Sequence, residues 1–167
     1  MTHIPLVPVS KMPEGLQRTL KQGLQSGMLS SSVPVQVWAH RPAIAQGWLD
    51  LLEQFHAHSL LGERLRELVR LKIASITQCQ ACQLARKSDT VSERDIACLS
   101  ADSAYFTVPE QAALKFAELF AADYMAIEAQ HYEAMAQHYS VEEIAELNMY
   151  CALMLAGGRM TYVQKAY

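Results

Sequence analysis

The sequence predicts an all-α protein, and three observations predict it. Residues 63–156 contain no glycine and a single proline, Pro109. A β protein needs turn residues at short intervals, which this stretch withholds. Alanine, leucine, glutamate, glutamine and methionine, all strong helix formers, fill it instead. With 167 residues the chain is long enough for one domain with a real core and too short for two ordinary ones. Hydrophobic residues at 51% and charged residues at 19% exclude disorder as a description of the whole. A net charge of −3 argues against nucleic acid as a partner, since such proteins show a basic excess or stripe. No run of about 18 apolar residues predicts a membrane span.

The helices separate by their caps. Met12, Leu16, Leu20, Leu24 and Met28 recur every four residues, the stripe of an amphipathic helix over about 13–29. Ser30, Ser31, Ser32, Val33 and Pro34 break it, and 33–38, the only strand-like run, is expected as an extended connector because it carries Pro34. A second helix opens on Pro42 and runs to about 60. Gly62 separates it from a third over about 63–77. A short helix is expected over 79–87, and another starting at Ser92. Thr107 with Glu110, and Ser140 with Glu143, have the spacing of capping boxes, opening helices over about 108–126 and 141–158. A shorter helix over 128–138 lies between them.

Ala113, Phe116, Ala117, Phe120 and Tyr124 form a helical core stripe, and Ile144, Leu147, Cys151 and Leu155 form another. Cys151 on that stripe, and Cys98 beside Ile96 and Leu99, read as packing thiols. The pair Gly157-Gly158 either lets two helices approach closely or ends the last one.

Cys79-Gln80-Ala81-Cys82 carries the chemistry. Cysteines three apart at a helix start sit one turn from each other and can close a disulfide. The helix N-terminus stabilises a thiolate, and the thiolate is the form that attacks peroxide or another disulfide. Two plainer readings stand beside this one: a chance pair of packed cysteines, or half of a zinc site lacking its second pair of ligands. Four cysteines and an opening stretch without a continuous apolar run place the chain in a reducing, cytoplasmic setting. Glu67 lies twelve residues before Cys79 in a polar stripe with Glu63, Arg66 and Arg70. It is either an i, i+3 partner of Arg70 on a solvated face or a carboxylate aimed at the cysteines to hold a water and move a proton.

The run Arg64-Leu65-Arg66-Glu67-Leu68-Val69-Arg70-Leu71-Lys72-Ile73-Ala74, followed by Cys79-Gln80-Ala81-Cys82, resembles the carboxymuconolactone decarboxylase and alkylhydroperoxidase D-like superfamily. Ala39-His40-Arg41-Pro42 upstream, and Thr107-Val108-Pro109-Glu110 and Val141-Glu142-Glu143-Ile144-Ala145-Glu146-Leu147 downstream, support it, so the resemblance covers about 38–163. It implies an alkylhydroperoxidase D-like helical domain over 38–167, with 1–37 as an N-terminal helical extension, and assembly as a homo-oligomer, a trimer or hexamer. The redox branch reduces hydroperoxides through its cysteine pair, and a lipoylated or other dithiol protein reduces the disulfide. The decarboxylase branch generally lacks the paired cysteines.

Carried over by position, Cys82 attacks the hydroperoxide, Cys79 resolves the sulfenic acid as a disulfide, and Glu67 positions a water. The helix dipole alone favours Cys79 as the activated thiol. The family's histidine four residues after the second cysteine is here Arg86. Arginine favours a thiolate but does not take and return a proton. His56 or His58 is the candidate substitute. The resulting expectation is a thiol-dependent antioxidant oxidoreductase with no metal or organic cofactor. Its competitor is a non-catalytic redox sensor or scaffold on the same fold.

Overall fold

The structure, a computed structural model, describes residues 1–101 and 103–167. Among the described residues every regular element is helical. The α-helices are α1 (Glu14–Gln25), α2 (Val33–Trp38), α3 (Pro42–Ala57), α4 (Glu63–Ile76), α5 (Gln80–Leu84), α6 (Glu93–Ala101), α7 (Val108–Ala122), α8 (Ala129–Ala136) and α9 (Val141–Gln164). Among these residues no helix is long and apolar enough to cross a membrane.

The chain parts into two compact units, Met1–Ser59 with Met160–Tyr167, and Leu60–Arg159. The first 37 residues share a unit with α3 because Met12, Leu16 and Leu20 of the α1 stripe bury against Val35, Ala45 and Leu49. Leu24, expected on the same stripe, is 42% exposed. The α1 helix stops at Gln25, short of the expected 29. Gly27 takes a φ of 80°, and the Leu29 N–H folds back onto the Gly23 carbonyl at 2.8 Å.

The stretch 33–38, expected as an extended connector, is a helix. Proline is tolerated in a first turn because that N–H has no intrahelical partner. Ser31 Oγ accepts the Val33 N–H at 3.1 Å, and burial of Val35 and Val37 fixes the turn in place.

In the second unit α4 is the central element and packs chiefly against α7, then α5 and α6. Its buried positions, Leu65 and Glu67 through Leu71 with Ile73 and Ala74, run nearly all the way round, as expected of a helix enclosed by others. Both capping boxes form: the Thr107 N–H donates to Glu110 Oε2 at 3.0 Å and the Ser140 N–H to Glu143 Oε2 at 2.8 Å. Ser92 caps α6 in the same way, accepting the Asp95 N–H while Asp95 Oδ2 takes the Ser92 N–H.

Tyr124 departs from its expected core stripe. The α7 helix ends at Ala122, Tyr124 opens a short 3-10 turn, and its side chain is 71% exposed. The last helix does not end at Gly158 but continues to Gln164. Of the two readings of that glycine, close approach holds: a Cβ at Gly158 would meet Thr77 Oγ1 at 2.9 Å. Thr77 is the residue that closes α4 just before the cysteines.

Candidate active site

The end of α4 sets up the cysteine pair. Thr77 is the C-cap, Gln78 follows with a left-handed φ of 53°, and the Cys79 N–H reaches back to the Ala74 carbonyl at 3.2 Å. The Gln78 N–H reaches Ser75 O at 3.4 Å, completing a Schellman turn. Glycine is the usual occupant of that left-handed position. A side chain there costs roughly 1 kcal/mol, and such strain concentrates at functional sites.

Cys79 then serves as N-cap of α5, with Cys82 at its third helical residue. Their Cα atoms lie 5.2 Å apart and the sulfurs are joined as a disulfide. Cys79 is fully buried at 0% exposure, whereas Cys82 is half-buried. Of the two residues, Cys82 is the more exposed.

Glu67 and Arg70 occupy one buried cluster beneath this turn. Of the two readings of Glu67, the solvated face does not hold at this pair: Glu67 is 2% and Arg70 9% exposed. The i, i+3 pairing is real and bidentate, with Arg70 Nε donating to Glu67 Oε2 and Nη2 to Oε1, both at 2.7 Å. Arg70 also donates to the carbonyl of Cys82 from Nη1 and to that of Ala85 from Nη2, each at 2.6 Å. The Lys87 N–H donates to Glu67 Oε1 at 3.1 Å. The Glu67 carboxylate thus accepts from the Arg70 side chain at both oxygens and from the Lys87 N–H at Oε1.

Arg86 falls elsewhere than expected. A helix over 79–87 would place it one turn beyond Cys82 on the same face. The Cys82 carbonyl, which would accept the Arg86 N–H in such a helix, is bonded to Arg70 instead. The helix α5 stops at Leu84, and Ala85 turns extended with ψ 124°. The Arg86 guanidinium donates to the Gln83 carbonyl and pairs with Glu93 Oε1 at 3.2 Å.

Two further ionisable groups belong to the cluster. Burial pushes the Lys87 ammonium down to about 8, the neighbouring Arg70 charge adds to that, and Glu67 opposes it. Burial raises Tyr150 of α9 well above the ordinary phenol range, in the field of Arg70 and Glu67. Neither residue belongs to a sequence motif. Tyr150 stands beside Cys151 on the last core helix, and Lys87 directly follows Arg86, so proximity in sequence was the only available signal.

Cys151 is a buried packing thiol, as expected, and burial pushes it up to about 12. Cys98 is free and half-buried. His58 is an exposed C-cap of α3 and His56 lies in that helix's last turn, both in the first unit, whereas the cysteines are in the second. Among the described residues no group of three or more His, Cys, Asp or Glu is placed to hold a metal ion.

No family model and no curated protein matches the sequence. Solved structures do match, over 77% to 100% of the chain. The alkylhydroperoxidase AhpD core of an uncharacterized peroxidase-related protein from Ralstonia eutropha JMP134 superposes with a TM-score of 0.77. It is 18% identical and covers 99% of this chain and 91% of its own. The debrominase Bmp8, as a cysteine-to-alanine variant with 2,3,4-tribromopyrrole, gives 0.81 at 16% identity over 100% and 91%. A protein of unknown function from Agrobacterium tumefaciens, described as an AhpD candidate for antioxidant defence, gives 0.68 at 21% identity over 77% and 92%. The chain has the AhpD-like fold, in agreement with the superfamily resemblance carried by Glu67, Cys79 and Cys82.

Proposed function

We propose that this AhpD-like chain is a thiol-dependent peroxidase that reduces hydroperoxides through Cys79 and Cys82. The observation that carries the reading is the split within the pair, Cys79 buried and Cys82 half-buried, across a span that closes a disulfide. The Cys82 thiolate attacks the outer oxygen of ROOH. The S–O bond forms, the O–O bond breaks, and the alkoxide leaves with a proton as ROH. The Cys79 thiol then attacks the sulfenic sulfur, releasing water and forming the disulfide. Glu67 holds a water beside the turn, and Arg86 adds a second, more exposed cation to the same turn. A lipoylated or other dithiol protein returns two electrons, in a cytoplasmic setting. The protein works as a homo-oligomer, a trimer or hexamer.

Trapping tests the assignment of roles. Cys79→Ser, treated with one equivalent of cumene hydroperoxide and dimedone, is expected to carry the dimedone adduct at Cys82 by mass spectrometry. An adduct absent from Cys79→Ser but present at Cys79 in Cys82→Ser reverses the roles.

A second reading is favoured by the likeness to a debrominase. A dithiol can reduce an aryl bromide with the same two electrons: a thiolate takes bromine, the carbon takes a proton, and the second thiol displaces bromide as the disulfide forms. Bromide release from tribromopyrrole without hydroperoxide turnover would favour it. A Cys79–Cys82 disulfide that forms once, without turnover of either substrate, would favour a redox sensor.

A further inference from the structure

Side-chain hydrogen bonds tie the cysteine turn to α4, and among the described residues Arg86 makes none of them. Gln83 Nε2 donates to the Ala74 carbonyl at 3.2 Å. The Arg70 guanidinium, nine-tenths buried, reaches the carbonyls of both Cys82 and Ala85 at 2.6 Å. These carbonyls lie at the C-terminal end of α5, where a helix presents unpaired acceptors and negative partial charge. A planar fork meets two carbonyls and a carboxylate at once only if it is held edge-on, and Glu67 holds it so from three residues away on the same helix. The charges of Glu67 and Arg70 cancel, so the pair's influence on the sulfurs is chiefly geometric.

We infer that Arg70 is the positioning residue of the redox pair: by clamping the Cys82 and Ala85 carbonyls it keeps the Cys82 sulfur within bonding reach of the sulfur of buried Cys79. Glu67 orients Arg70 for that task. The inference deepens the redox reading of the pair and rests on it. A clamped turn raises the effective concentration of one sulfur at the other, which favours the disulfide over the dithiol. Loosening the turn makes the disulfide easier to reduce.

The test is the Cys79–Cys82 disulfide–dithiol equilibrium of the full chain in reduced and oxidised dithiothreitol, read by alkylation and mass spectrometry. Arg70→Lys keeps a charge for Glu67 but replaces the fork by a single point that cannot span both carbonyls. It is expected to shift the equilibrium about tenfold towards the dithiol, or about 30 mV. Because a buried charge left alone can unfold a variant, the double variant Glu67→Gln with Arg70→Met removes both charges together, and the same shift is expected. A change smaller than threefold in either variant, with its helical circular dichroism intact, overturns the inference. No peroxide enters this measurement. A chain that turns over no hydroperoxide yet shows the shift loses the peroxidase reading and keeps the clamp.

Discussion

Arg64 and Arg70, six residues apart on α4, use the same guanidinium fork in different ways. Arg64 gathers distant partners: Asp95 Oδ1 of α6, Glu110 Oε1 of α7 and the Thr90 carbonyl, each at 2.7 Å. Arg70 takes its acid from its own helix and turns its remaining donors on the cysteine turn. The local acid orients Arg70 whether or not other helices have docked. Arg64 finds its acids only when α6 and α7 are in place. The first arginine thus fastens elements together, and the second is bonded to the one short turn that carries the cysteine pair.

The largest effect that could break this contrast is at Arg64. Arg64→Met leaves Asp95, 4% exposed, without its cation, and is expected to cost about 2–3 kcal/mol in urea unfolding. The dithiol equilibrium should stay within twofold of wild type; a shift as large as that expected for Arg70→Lys would erase the distinction. The hydrogen bond from Arg64 holds the Asp95 carboxyl well below the usual range. A depressed folded-state value means that this stabilisation is complete above the unfolded value of about 4 and is lost as pH falls through the folded one. Wild type should therefore lose its advantage over Arg64→Met in acid.

A smaller effect sharpens the other side. Gln78 holds at the end of α4 the left-handed geometry that Gly27 provides after α1, with φ of 53° and 80° respectively. Gln78→Gly is expected to gain about 1 kcal/mol in thermal or urea unfolding. Unchanged or reduced stability would mean that the turn before Cys79 is not strained.

The smallest concerns Lys87. With a folded-state value near 8, below the ordinary lysine value, the folded chain binds this proton less tightly than the unfolded chain. The charged ammonium therefore opposes folding below pH 8, and the opposition fades as pH rises from about 8 to 10.5. Lys87→Met should be more stable than wild type at pH 7 relative to pH 10, measured by urea midpoints; a pH-independent difference contradicts it.

Helix type and most boundaries were legible because their causes are local. Thr107 and Ser140 announce capping boxes, and the α1 stripe repeats within one helix. What was not legible depends on partners far along the chain. Pro34 fits an edge strand or a helix first turn equally well, and only burial of Val35 and Val37 decides. The spacing of Glu67, Cys79 and Cys82 was readable, yet Arg70 looked like surface charge because nothing nearby says that the Cys82 and Ala85 carbonyls come down upon it. The same contact ends α5 early and removes Arg86 from the face where periodicity would place it. Periodicity extends a helix until something takes its carbonyls, and here that something lies twelve residues upstream.

The most direct measurement is steady-state consumption of cumene hydroperoxide with dihydrolipoamide as reductant, by wild type and Cys82→Ser. The account predicts many turnovers per chain in wild type and none above background in Cys82→Ser. Equal consumption by both, or one equivalent and no more by wild type, would contradict it.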